Sequence, residues 1–142
     1  MVPYADFLLR RSAEESRMVL NIGGIANFTY LRARCSRDDV LGWDVGPGNM
    51  VLDGLARDLL QQDVDLNGAA ASRGQADTTW VQELLSGSFF ARPGPKSAGR
   101  EEFGAAYVER LLRGGQARGL NAADLLATAV EITARAVAAA LR

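Results

Sequence analysis

Gly42-Trp43-Asp44-Val45-Gly46-Pro47-Gly48-Asn49 reads as the junction of a strand and a helix. Val40 to Trp43 is apolar and of strand length, Asp44 stands at its end, and two glycines and a proline then make a tight turn. Past Gly48 the apolar positions Val51, Leu52, Leu55, Leu59 and Leu60 share one face at helical spacing, which predicts a helix from about Asn49 to Gln62. A strand that passes through a glycine turn into a helix is a building unit of α/β folds. Backbone N–H groups at such a turn and at a helix N-terminus suit an anionic oxygen, so Asp44 is a candidate base beside its electrophile. An Asp ahead of a Gly/Pro turn is also a common turn former, and the octet alone leaves both readings open.

Upstream, Met18 to Ile22 is an apolar run of strand length, Gly23-Gly24 breaks it, and Ile25 to Leu31 resumes with alternation at Phe28 and Tyr30. Strand, glycine turn, strand, loop and strand make an antiparallel meander. Pro3 to Arg11 forms a short helix ahead of it, separated by the polar stretch Ser12 to Arg17. Downstream, Asp65-Leu66-Asn67-Gly68 is a turn signal, and a helix is expected from about Asp77 to Ser86 through Trp80, Val81, Leu84 and Leu85. The loop Arg92 to Gly99 is rich in Pro and Gly, and Phe103, Tyr107, Val108, Leu111 and Leu112 stripe a helix expected to stop at Gly114-Gly115. Asn121 caps a last helix, expected to run to Arg142, whose buried face is Leu125, Ala129, Ile132, Ala136 and Ala140.

The expected fold is therefore α/β: a three-stranded antiparallel meander followed by four helices. So thin a sheet under so many helices suggests strands supplied from outside the chain. Residues 1–142 are read as a single incomplete domain, with an N-terminal helix and linker over 1–17, sheet and first helix over 18–62, and a helical part over 63–142.

Composition limits the chemistry. The 142 residues suit one domain, with apolar residues at 48% and charged residues at 23%, the balance of a globular protein. There is one cysteine, Cys35, and no histidine, which excludes an internal disulfide, Cys/His zinc sites and every Ser-His or Cys-His nucleophile pair. Any proton acceptor is then a carboxylate. Net charge is −1 with no basic stripe, so nucleic acid is not an expected partner. No apolar run is long enough to span a bilayer and no leader can be read, which makes the cytoplasm the expected compartment. Lys96 is the only lysine among sixteen basic residues, an arginine bias of compositional origin.

Val19-Leu20-Asn21-Ile22-Gly23-Gly24-Ile25-Ala26-Asn27, followed by the octet at 42–49, resembles the anhydro-N-acetylmuramic acid kinases. These are bacterial sugar kinases of the actin/hexokinase/Hsp70 superfamily, whose core is a ribonuclease H-like (actin-like ATPase) domain. Further blocks follow in the family's order: Asp65-Leu66-Asn67-Gly68 with Ala71 and Gly74, then Pro95-Lys96-Ser97-Ala98-Gly99-Arg100-Glu101 with Phe103, then Ala127-Thr128 with Glu131, Thr133 and Ala134. Gly104, Ala98 and Ala70 depart from the family's usual Asn, Thr and aromatic residue.

The resemblance implies an ATP- and Mg²⁺-dependent reaction in cell-wall recycling. Water opens the 1,6-anhydro ring of anhydro-N-acetylmuramic acid while O6 takes the γ-phosphoryl group. Asp44 matches the base that activates the water, and Gly23-Gly24 matches the superfamily's second phosphate-binding loop. Asn21 and Asn27 flank that loop and either orient phosphate oxygens or satisfy local backbone groups. Gly46, Gly48 and Asn49 are candidates to present free helix-opening amides to whatever Asp44 faces. Asp53 is expected to be a dipole partner in the first turn of that helix. No metal ligand is assigned.

Lys96, Ser97 and Arg100 either reach a phosphate or belong to a solvated loop. Trp43 and Trp80 read as core, and Asp65 as either a turn residue or part of the cleft. The family's opening phosphate loop and its adenosine motif have no counterpart, which implies a central fragment, inactive alone, whose exposed sheet edge favours homo-oligomers or association with missing segments. The alternative is a non-catalytic binding or assembly module that keeps part of the actin-like fold.

Overall fold

The computed structural model describes residues 2–141. In chain order its elements are α1 (Val2–Arg10), β1 (Arg17–Ile22), β2 (Ile25–Leu31), β3 (Leu41–Pro47), α2 (Asn49–Leu60), α3 (Thr78–Leu85), α4 (Ser88–Ala91), α5 (Arg100–Phe103), α6 (Ala105–Ala117) and α7 (Ala122–Ala140), with single 3-10 turns between them. The three strands form one antiparallel sheet in the order β1-β2-β3. This is the expected mixed α/β meander, consistent with part of an actin-like sugar-kinase domain. The four long helices expected after the sheet are α2, α3, α6 and α7; the one-turn helices α4 and α5 add to them.

Two elements run further than their glycines suggest. β3 does not end at Trp43 but continues through Asp44 to Pro47, which pairs with Ile25 at the sheet's end. Helix α6 passes through Gly114 and Gly115, which are glycine because their neighbours leave no room for a side chain. A Cβ at Gly114 would sit 2.4 Å from Trp80 Cζ2, and one at Gly115 would sit 2.9 Å from Leu125 Cδ2. The last helix ends at Ala140, and Arg142 lies outside the described residues, as does Met1.

The sheet's two faces have different neighbours. Register places Val19, Thr29 and Gly42 on one face, with Asn21, Asn27 and Asp44 beyond them. On this face α1 packs Phe7 against Leu31 and Cys35, and Thr29 Oγ1 donates to Asp6 Oδ2 at 2.6 Å. On the other, Ala26, Phe28, Val45 and Trp43 meet Val137 and Ala140 of α7. A bulge between the faces leaves Val45 without a ladder partner, since Ala26 pairs with Gly46 and Asn27 with Asp44. The bulge resets the side-chain alternation, so Asp44 and Gly46 face opposite ways although two residues apart. A Cβ at Gly46 would meet that of Ala136 in α7 at 2.8 Å.

The main core lies beyond α7, where Val51 and Leu55 of α2, Trp80 and Val81 of α3, Phe103 of α5, Tyr107 and Leu111 of α6, and Leu125, Leu126, Ala129 and Ile132 of α7 are buried together. Each large apolar side chain buried here contributes about 1.5–3 kcal/mol. Three polar ties fix α7 to the rest: Thr133 Oγ1 donates to Pro47 O (3.0 Å), Thr128 Oγ1 accepts from Asp77 N (3.0 Å) and Asp124 Oδ1 accepts from Gln75 N (2.7 Å). Asn121 caps α7 as its position predicts, accepting from Asp124 N at 2.9 Å.

Candidate active site

Register brings Asn21, Asn27 and Asp44 into one row across the three strands, Asn21 opposite Asn27 and Asn27 opposite Asp44. Directly opposed residues stand about 4.5–5.5 Å apart, so the row is a continuous polar strip beside the Gly23-Gly24 turn. Asp44 is half-buried and lines a cavity of about 250 Å³ with Asn27, Ser97, Pro3, Phe28, Gly42 and Trp43. The polar members of this lining are Asp44, Asn27 and Ser97.

Two backbone groups of one loop hold Asp44. Its N–H donates to Lys96 O at 2.9 Å, and its Oδ2 accepts from Ala98 N at 2.7 Å. Among the described residues no group donates to its Oδ1. A carboxylate with one oxygen fixed and the other unpartnered has the arrangement of a general base. This loop contact, across 54 residues of sequence, was not readable from spacing; the only signal was the Pro-Lys-Ser block itself.

The Gly23-Gly24 turn is tied to α2 in a way that corrects the expectation of free helix-opening amides. Gly48 N and Met50 N donate to Gly24 O at 3.1 Å each, and Asn49 N donates to Gly23 O at 2.8 Å. The amides of Gly48 and Asn49 are thus spent inside the protein, and Asn49 Nδ2 donates to Ile22 O at 3.2 Å. Gly46 and Gly48 are also closely packed, Gly46 against α7 and Gly48 against the turn, where a Cβ would lie 2.4 Å from Gly23 O. Gly23 and Gly24 themselves use their carbonyls for α2, while their own amides donate to no backbone group among the described residues. Asn21 is exposed beside the turn, and Asn27 Nδ2 makes a 3.4 Å contact with Ile25 O.

The remaining candidates separate. The Lys96 ammonium donates to Phe89 O (3.0 Å), Phe90 O (3.3 Å) and Arg92 O (2.8 Å) and lies 4.7 Å from the Phe89 ring centroid, so its donors are engaged within the protein. Burial, and then the neighbouring Arg92 guanidinium, push its pKa below the ordinary lysine value. Ser97 lines the Asp44 cavity, whereas Arg100 lines a different groove, of about 730 Å³ between α2 and α6, with Arg57, Asp58 and Glu109. Asp65 is a turn residue: its two oxygens accept from Ala70 N (2.8 Å) and Ala71 N (2.9 Å). Asp53 lies past the first turn of α2, which contains no acid, and lines a cavity with Asn49 and Asp65. Trp80 is buried under Arg118, and Trp43 meets Phe28 edge-on with ring centroids 6.4 Å apart.

A family model described as Anhydro-N-acetylmuramic acid kinase matches residues 1–142. Among curated relatives, a protein named anhydro-N-acetylmuramic acid kinase from Salinibacter ruber is 44% identical over 137 residues, covering 96% of this chain and 34% of the relative. Proteins of the same name from Gloeobacter violaceus and Clostridioides difficile are 40% and 37% identical, covering 100% and 96% of this chain and 37% and 35% of their own lengths. The chain thus spans about a third of the length of these relatives. With the match extending over every element from α1 to α7, the chain belongs to the anhydro-N-acetylmuramic acid kinase family.

Proposed function

We propose that this chain supplies the water-activating carboxylate and one phosphate-facing turn of an enzyme that opens the anhydro ring of 1,6-anhydro-N-acetylmuramic acid and phosphorylates its O6. The observation that carries the reading is the half-held carboxylate of Asp44, at the end of a polar row that leads across the sheet to the Gly23-Gly24 turn. Asp44 Oδ1 takes a proton from water as its oxygen attacks the anomeric carbon. The C1–O6 bond then breaks and O6 leaves as the nucleophile for phosphorus. Asp44 returns its proton to solvent.

ATP, when bound, would supply the phosphoryl group that O6 accepts, with ADP as the leaving group. The Gly23 and Gly24 amides fit its phosphates, having no Cβ to block approach and no backbone partner to give up. Asn21 lies beside them with its side chain exposed. The described residues contain no group of three or more carboxylates, histidines or cysteines placed to hold a cation, so no ligand for Mg²⁺ is assigned here. The sequence divisions at residues 17 and 62 correspond on this reading to one domain, the sheet carrying the chemistry and the helices supporting it.

Isothermal titration of the 142-residue chain with 1,6-anhydro-N-acetylmuramic acid tests the reading. Binding is expected on the order of millimolar, weakened by Asp44→Asn and unaffected by a substitution at the exposed Arg113. Absence of heat at about 10 mM sugar, or binding indifferent to Asp44→Asn, refutes it.

A further inference from the structure

We propose that Lys96 is a positioning residue for Asp44, acting as the stake that holds the loop whose backbone fixes one carboxylate oxygen and leaves the other free. The inference rests on Asp44 being the base. The segment from Arg92 to Gly99 contains two prolines and two glycines, and no helix or strand. Yet its Lys96 carbonyl and Ala98 amide bracket Asp44 at 2.9 and 2.7 Å. An irregular segment keeps two such bonds in place only if something else orders it.

The Lys96 side chain does so. Its ammonium donates to the carbonyls of Phe89, Phe90 and Arg92 at 3.0, 3.3 and 2.8 Å, which matches its three donors to three acceptors. Those carbonyls belong to α4 and the residue that follows it, and α4 is itself anchored. Phe89 is 3% exposed and packs edge-on against Phe103 at 5.0 Å between ring centroids. A rigid path therefore runs from the aromatic core through the carbonyls of residues 89, 90 and 92 to the ammonium, and from the loop backbone to Asp44.

Residue type supports this. Every other basic residue of the chain is arginine, and the single lysine stands where three carbonyls converge. A compact ammonium satisfies three acceptors around one point, whereas a planar guanidinium presents its donors as a fork. The arginine bias that governs the other basic positions stops at the one where its geometry does not fit.

Two-dimensional nitrogen–proton spectra of the intact chain test the proposal without sugar or turnover. Since there is one lysine, its side-chain ammonium gives a single resonance. Caged by three carbonyls, it is expected to exchange with water at least tenfold more slowly than the ammonium of a free lysine. The Ala98 amide proton is expected to shift with pH in step with the Asp44 carboxyl carbon, a coupling that Asp44→Asn abolishes. Lys96→Met is expected to reduce that Ala98 shift by more than half while core resonances of α7 stay in place, and Lys96→Arg is expected to restore it incompletely. A fast-exchanging Lys96 ammonium, or an Ala98 amide indifferent to Asp44 in the wild-type chain, overturns the proposal even if Lys96→Met does not fold. A folded Lys96→Met with the full Ala98 response overturns it as well. Failure of the sugar titration with these signatures intact removes the functional reading and leaves the clamp.

Discussion

Replacing Gly48 by alanine tests whether the glycine turn and α2 form one unit. The new Cβ would stand 2.4 Å from Gly23 O, 3.1 Å from Gly24 O and 3.2 Å from Ala26 N, all backbone atoms that no side-chain rotation can move aside. To restore ordinary contact at 3.4 Å, the turn and the helix must separate by about 1 Å at the closest point. The bonds from Gly48 N, Asn49 N and Met50 N, now 3.1, 2.8 and 3.1 Å long, then stretch beyond hydrogen-bond range. At about 1 kcal/mol net for each bond, the loss is about 3 kcal/mol. Urea unfolding followed by circular dichroism should show it as a midpoint lowered by roughly 1–3 M. Gly23→Ala is the control, since a Cβ there meets nothing closer than Asn21 Nδ2 at 3.5 Å. It should change stability by less than about 0.5 kcal/mol. Equal, small effects of the two substitutions would refute the argument that α2 is seated on the turn.

Asp65→Ala removes the acceptor of two backbone N–H groups from a half-buried carboxylate and should lower stability by about 2–3 kcal/mol in the same assay, with Asp65→Asn intermediate. Tyr107 has a buried hydroxyl with no hydrogen-bond partner among the described residues, so Tyr107→Phe should be neutral or stabilise by up to about 1 kcal/mol. Burial raises its phenol pKa above the usual value near 10, partly opposed by Arg110. A raised pKa gives a contribution that is complete below the unfolded value near pH 10 and lost as pH rises above it through the higher folded value, so Tyr107→Phe should flatten the alkaline fall in stability, measured from about pH 8 to 11. Thr133→Val deletes the buried tie to Pro47 O and should cost about 1–2 kcal/mol, and an unchanged melting temperature would contradict its role.

The elements with an uninterrupted apolar pattern were readable from sequence. β1 and β2 alternate around Gly23-Gly24, α2 starts at Asn49, and Asn121 announces α7. Glycine defeated the reading where its cause was another element. Gly46 lies inside β3 because α7 approaches closely, and Gly114 and Gly115 lie inside α6 because Trp80 and Leu125 do. Neither cause is local, so both sites look like stops. The row of Asn21, Asn27 and Asp44 follows once strand register is known, but the bulge at Val45 that turns Gly46 away from that face does not. The contacts of Ala98 with Asp44 and of Lys96 with the α4 carbonyls depend on how a Pro/Gly loop closes in space. Spacing carries no information about such closure. The sequence did mark Lys96 and Ser97 for attention through the block they share, and it left their roles open.

The ties that α7 makes have a bearing on biosynthesis. Pro47, Gln75 and Asp77 are each held by a residue of α7, a helix that follows all of them in the chain and also supplies Leu125, Leu126, Ala129 and Ile132 to the core. During translation the sheet and the first helices therefore emerge with their apolar sides uncovered and wait for residues 124–136 before they can close. With synthesis at about 5–20 residues per second, the sheet face that α7 covers stays open for several seconds, the interval in which a chaperone or a neighbouring nascent chain competes with α7 for it.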